Sequence, residues 1–134
     1  MGPAFVFEQK VLFRHCDPAG IVFFPRYFEM INDCVEHFFD EVLGWPFEEL
    51  LLDQGVPTAE IKTRFAAPSR HGDRLSLAMH VTRIGRSSLG YRIEATCGTE
   101  RRFEAETVLV HVDGQGKPAS WPDAIRLKLK EDGS

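Results

Sequence analysis

A chain of 134 residues, 43% of them hydrophobic, has material for one core but not two, so residues 1–134 are expected to form a single domain. A charged fraction of 27%, a formal net charge of −4 and the lack of any low-complexity tract exclude a disordered or fibrous chain and argue against nucleic acid as a partner. No apolar run approaches the roughly 18–20 residues of a membrane span, and the amino terminus lacks the basic-then-apolar layout of a signal peptide, so a cytoplasmic location with no membrane partner is expected.

Residues 5–13 mix apolar and polar side chains of β-favouring type and read as a first strand. Residues 15–24 contain Asp17-Pro18-Ala19-Gly20, where proline and glycine force a sharp turn. Pro25 suits the first turn of a helix in which Ile31, Val35, Phe38, Phe39 and Val42 fall on one stripe while Asp33, Glu36, Asp40 and Glu41 lie mostly elsewhere. Gly44 is its natural stop, and a second short helix is expected over residues 46–53. So bulky a stripe implies that a sheet covers the long helix along its length.

Beyond Gly55 the period changes to two. Ile61, Thr63 and Phe65 alternate with Lys62 and Arg64, and Leu75, Leu77, Met79 and Val81 alternate with Ser76, Ala78, His80 and Thr82. Residues 85–88 read as a hairpin turn that returns through Tyr91, Ile93, Ala95 and Cys97. Residues 98–100 turn again into a last strand over 102–112, whose apolar positions shift phase near Thr107 and Val108 and suggest a bulge or burial of both faces. A small helix is expected over 120–130. Strand, long helix and four strands joined by tight turns predict an α+β antiparallel meander with one helix packed across it.

Charge is unevenly distributed. Residues 30–53 hold seven acids and no Lys or Arg, whereas residues 62–102 hold nine bases against three acids, a surplus that a small anionic ligand can use. Cys16, Cys34 and Cys97 match neither a disulfide framework nor a zinc spacing, so reduced thiols are expected. Cys34 and His37 are three apart on the helix, but two ligands do not close a metal site, and none is expected. His15 and Cys16 are neighbours whose side chains leave an extended segment on opposite faces, which opposes a nucleophilic pair.

The run Asp17-Pro18-Ala19-Gly20-Ile21-Val22-Phe23-Phe24-Pro25-Arg26-Tyr27, together with Gly72-Asp73-Arg74-Leu75 and the order of elements, resembles the 4-hydroxybenzoyl-CoA thioesterase family of hotdog proteins. The resemblance implies a five-stranded antiparallel sheet wrapped around one long central helix, and an acyl-CoA thioesterase acting on an aromatic or short acyl group. It also implies homodimers joined edge to edge, with active sites at the subunit interface, which assemble to homotetramers. No resident cofactor is implied, coenzyme A being part of the substrate.

Asp17 matches the family's catalytic carboxylate, as nucleophile or as general base; its plainer role is an Asx turn. The resemblance sets the thioester carbonyl near the backbone N–H of Phe24, in a helix first turn expected to have free N–H groups, with Gly20 allowing close approach. It assigns nucleotide contacts to Arg86, Ser87 and Ser88, with Arg83 and Arg70 behind them. Asn32 stands where the bacterial 4-hydroxybenzoyl enzyme carries an acid facing the substrate hydroxyl, which puts a para-hydroxyl in doubt. Phe23, Phe24 and Tyr27 suit an aromatic pocket, and core packing explains them as well. Hydrolysis of carrier-protein thioesters, acyl-thioester binding without turnover, and dehydration are the rival readings on the same fold.

Overall fold

A computed structural model describes residues 2–132. Strands β1 (Phe5–Lys10), β2 (Thr58–Phe65), β3 (Arg74–Ile84), β4 (Ser88–Cys97) and β5 (Glu100–Val110) form one antiparallel sheet, accompanied by helices α1 (Pro25–Glu41), α2 (Phe47–Leu50) and α3 (Asp123–Asp132). The spatial order is β1-β3-β4-β5-β2. Only β3, β4 and β5 therefore form the expected meander. Helix α1 separates β1 from β2 in the chain and carries it across the sheet, so β2 pairs with β5 at the far edge instead of with β3.

The 17 residues of α1 bury Tyr27, Met30, Ile31, Cys34, Val35, Phe38 and Phe39. Phe38 meets Phe5 of β1 at 6.2 Å, Tyr27 meets Phe103 of β5 at 4.6 Å, and Phe39 meets Trp121, just before α3, at 6.3 Å. Gly44, at φ +65°, ends the helical segment in a conformation that costs other residues energy, and Trp45 N–H closes it on Phe39 O. The sheet supplies the matching face through Leu75, Leu77 and Met79 of β3, Leu89, Tyr91, Ile93 and Ala95 of β4, and Phe103, Ala105, Thr107 and Leu109 of β5.

Two local expectations fail for physical reasons. The first strand stops at Lys10 because the chain closes a 3-10 turn, Phe13–His15, in which the buried His15 Nδ1 accepts Leu12 N–H at 2.9 Å. No bulge interrupts β5 at Thr107: the pairs Tyr91↔Thr107 and Gly90↔Val108 are in register, and burial alternates without a break. The apparent change of phase arises because a threonine occupies a core position, buried at 3% exposure. Register shifts lie instead at Thr58/Glu60, Val81/Arg83 and Ala95/Thr96.

Candidate active site

Asp17 sits at the tip of a small loop closed by pairing of Cys16 with Val22. Its N–H donates to Ile21 O and its carbonyl accepts Gly20 N–H, both at 2.9 Å. The side chain continues the turn: Oδ1 accepts Ala19 N–H at 2.9 Å and Ile21 N–H at 3.4 Å, while Oδ2 has no hydrogen bond among the described residues. The Asx turn is thus real, and it holds the carboxylate by one oxygen only. Gly20 has φ +83°, and apart from its chain neighbours no atom of the described residues lies within 4 Å of where a Cβ would stand, so its first service is to the turn, which a Cβ would strain, with open space beside it.

The loop runs into α1 through Phe23 and Phe24. The expected set of free first-turn donors is reduced, because Arg26 N–H and Tyr27 N–H fold back onto Phe23 O and Phe24 O, Phe23 N–H donates to His15 O, and Pro25 has none to offer. Phe24 N–H alone of this group has no acceptor among the described residues. It lies at the amino end of a 17-residue helix, where the dipole favours negative charge.

Beside it opens a cleft of about 300 Å³ lined by Val22, Phe24, Tyr27, Phe65 and residues 66–68. Phe65 meets Tyr27 at 5.9 Å in a stacked arrangement and Phe24 at 5.9 Å edge-on, and Phe23 meets Phe24 at 5.7 Å. The floor is fixed from behind. Tyr27 Oη donates to the buried Ser69 Oγ at 2.9 Å, and burial pushes the phenol above its ordinary range. Val22 N–H donates to Ser69 O, Arg70 N–H donates to Asp73 Oδ2, and Arg102 binds Asp73 at 2.7 Å and Pro68 O at 3.2 Å. The Arg102 guanidinium, with the Arg70 N–H, holds the Asp73 carboxyl below the usual carboxylate range. Ser69, Asp73 and Arg102 are supports to which sequence reading assigns no role: Asp73 stands inside the Gly72-Asp73-Arg74-Leu75 run, Arg102 is one base of the surplus over residues 62–102, and Ser69 offers only polarity in a loop.

The other expected residues lie elsewhere in the protomer. Asn32 is exposed in a separate depression with Arg14, Phe28, Glu29 and Asp33. Arg83 and Ser88 border a cleft of about 370 Å³ with Lys62, Thr82, Gly90 and Glu106. Arg86 and Ser87 form the β3–β4 turn, where Arg86 donates to Ser120 Oγ and Ser87 O accepts His111 N–H. That turn is clamped by the tail, since Arg126 donates to Gly85 O and Arg86 O at 3.0 and 2.9 Å, and Trp121 donates to Ser88 O at 3.0 Å and to Arg86 O. Arg70 is exposed and bridges Ile21 through its backbone. A single protomer therefore joins Asp17, Gly20, Phe23, Phe24 and Tyr27 in one region but does not bring the hairpin cations or Asn32 into the same cleft.

Cys34 and His37 do not converge: the thiol is buried and pushed up to about 12 by desolvation, whereas His37 is exposed and pairs with Glu41 at 3.0 Å. His15 and Cys16 both engage Leu12, the ring through the Leu12 N–H and the thiol through its carbonyl at 3.6 Å. Among the described residues no group of three or more His, Cys, Asp or Glu is placed to hold a metal ion, and no helix is long and apolar enough to cross a membrane.

Residues 11–129 match the model of the thioesterase-like superfamily. The 4-hydroxybenzoyl-CoA thioesterase of Pseudomonas sp. (strain CBS-3) is 24% identical over 95 residues, which cover 69% of this chain and 67% of that protein. A 1,4-dihydroxy-2-naphthoyl-CoA thioesterase from Synechocystis superposes with a TM-score of 0.87 at 20% identity, covering 95% of this chain and 96% of the other. A gentisyl-coenzyme A thioesterase superposes with a TM-score of 0.86 at 24% identity, covering 92% and 98%.

Proposed function

The chain belongs to the thioesterase-like superfamily, and from that premise we propose that it is a hotdog acyl-CoA thioesterase in which Asp17 drives hydrolysis. The observation that carries the reading is a pair of groups that, among the described residues, stay open ahead of and at the start of α1: a carboxylate anchored through Oδ1 with Oδ2 unbonded, and a backbone donor at Phe24 with no acceptor. Water adds to the thioester carbonyl, the carbon–sulfur bond breaks, and the products are the free acid and the coenzyme A thiol. Asp17 serves either as the base that takes a proton from water or as the nucleophile, forming a mixed anhydride that water opens. The Phe24 N–H stabilises the charge that grows on the carbonyl oxygen, with the helix dipole behind it. Arg86, Ser87 and Ser88, with Arg83 and Arg70, hold the nucleotide phosphates.

In this reading the chain is one hotdog domain, its sheet curled about α1, and its working form is a dimer. Support comes from β2, an edge strand whose outer backbone groups are unpaired among the described residues and whose Ile61 and Phe65 are 41% and 47% exposed. Pairing two such edges covers that row and brings a second subunit to the cleft at the end of β2; pairing of dimers then gives the tetramer. A colorimetric assay of thiol release from benzoyl, phenylacetyl, short aliphatic and long aliphatic CoA esters tests the function. Turnover of at least one ester is expected; tight ester binding with no thiol released would instead make this a non-catalytic binder.

A further inference from the structure

Resting on the hydrolase reading, we propose that His15, as the neutral imidazole, is a positioning residue: its ring locks the neck of the loop that holds Asp17 against the Phe24 N–H. The backbone of His15 forms that neck. Its carbonyl accepts Phe23 N–H at 2.9 Å, and pairing of Cys16 with Val22 continues the closure, so residues 16–22 hang from His15 as one loop. Asp17 lies two residues past His15, and Phe24 directly follows the residue that His15 anchors. The ring ties the same residue back to the turn after β1. Nδ1 accepts Leu12 N–H at 2.9 Å, alongside the bonds from His15 N–H to Leu12 O at 3.0 Å and from Cys16 N–H to Phe13 O at 3.1 Å. The hydrolytic steps make no use of this imidazole, yet it is buried to 2% exposure within one protomer, so a second subunit adds no partner to it.

A backbone N–H can only donate, so Nδ1 is the unprotonated nitrogen and the ring proton sits on Nε2. Nε2 in turn lies 3.5 Å from Arg14 Nη1, another group that only donates. A second proton therefore meets no acceptor at either nitrogen: it turns Nδ1 into a donor facing Leu12 N–H, and it places a cation out of reach of water. Burial is the largest influence holding the ring below the ordinary histidine range; Arg14 of the same turn and Arg26 of α1 also oppose the proton, whereas Glu29 and Asp33 of α1 favour it. Protonation is thus expected to break the bond to Leu12 and free the neck, shifting Asp17 and Phe24 relative to each other. A misplacement of about 1 Å can cost a reaction roughly 10²-fold, so a clamp that never touches the thioester can govern kcat.

The test follows kcat and KM for the best ester of the thiol-release panel from about pH 8 down to about pH 4.5, across the ordinary histidine range, at a temperature where melting curves show each sample folded. His15→Phe keeps a ring but has no acceptor; His15→Asn keeps an acceptor, its Oδ1 standing close to the place of Nδ1, and cannot titrate. His15→Phe is expected to lower kcat roughly 10- to 100-fold with KM within about threefold of the parent. His15→Asn is expected to recover most of that loss and to hold its plateau to a lower pH than the parent does. Parent-like kcat in His15→Phe overturns the proposal, as does His15→Asn no faster than His15→Phe, or an acid limb at the same pH in the parent and His15→Asn. Should His15→Phe not fold, the comparison of the parent with His15→Asn decides alone. If no ester releases thiol, the hydrolase reading falls, and nuclear magnetic resonance tests the clamp by itself. Phe23 and Phe24 amide signals that follow the titration of the His15 ring in the parent, and stay fixed in His15→Asn over the same range, uphold it; amides that behave alike in the two proteins overturn it.

Discussion

Asp17→Asn separates chemistry from folding. The amide keeps a carbonyl oxygen where Oδ1 now accepts Ala19 N–H at 2.9 Å and Ile21 N–H at 3.4 Å, but it can neither take a proton from water nor attack a carbonyl. The first of these hydrogen bonds is exposed and the second is long, so weakening both costs no more than the low end of the roughly 0.5–1.5 kcal/mol a net hydrogen bond contributes. For a chain of this size 1 kcal/mol corresponds to a few degrees of melting temperature, and a shift below about 3 °C is expected. Turnover is expected to fall about 10²- to 10⁴-fold, equivalent to roughly 3–5 kcal/mol of barrier. Thiol release and a thermal melt on the same sample give both readouts. Asp17→Ala also removes the acceptor and should lose similar activity at a visibly lower melting temperature. If Asp17→Asn retained kcat within about threefold of the parent, the carboxylate would be a turn-former and nothing more.

Two further predictions follow from the supports of the site. Arg126→Ala releases the β3–β4 turn from α3 and should raise KM for acyl-CoA about tenfold, the equivalent of about 1.4 kcal/mol, with kcat nearly unchanged; the matching N-acetylcysteamine thioester, which lacks the nucleotide, should show no change, and an equal effect on both esters would argue for general loosening. His15 is buried, and desolvation, with Arg14 close by, holds its ring below the ordinary histidine range, while Arg26, Glu29 and Asp33 also act on it. The unfolded chain therefore binds this proton at a higher pH than the native protein does, so stability is fully present above about pH 6.5 and declines as the pH falls from there towards the depressed native value. Melting curves from pH 8 to 5 should show that decline in the parent and a shallower one in His15→Gln; parallel curves would refute the assignment.

Much of the fold is legible in local pattern. Alternation in Leu75, Leu77 and Met79 reports a strand with one buried face, and the stripe of Ile31, Val35, Phe38 and Phe39 reports a helix with one buried side, because a side chain's direction follows from the backbone repeat alone. Thr107 misleads for the same reason: pattern reading takes polarity for exposure, whereas cross-strand pairing with Tyr91 fixes Thr107 inward. Asp17 and Gly20 are visible because the turn that presents them is built from neighbours in the chain.

What no local pattern contains is the choice of partners across the molecule. Placing β2 beyond β5 decides that Phe65 meets Phe24 and Tyr27, and the long-range contacts of Ser69 with Tyr27 and of Arg102 with Asp73 decide which polar groups of the cleft remain free. The clamp of Arg126 on the hairpin spans 40 residues or more of chain. Residue type and spacing determined the secondary elements and the loop with the carboxylate, since those depend on near neighbours. Only the tertiary structure decided what surrounds that loop, because occupancy of a donor or acceptor is set by whichever distant segment the fold brings against it.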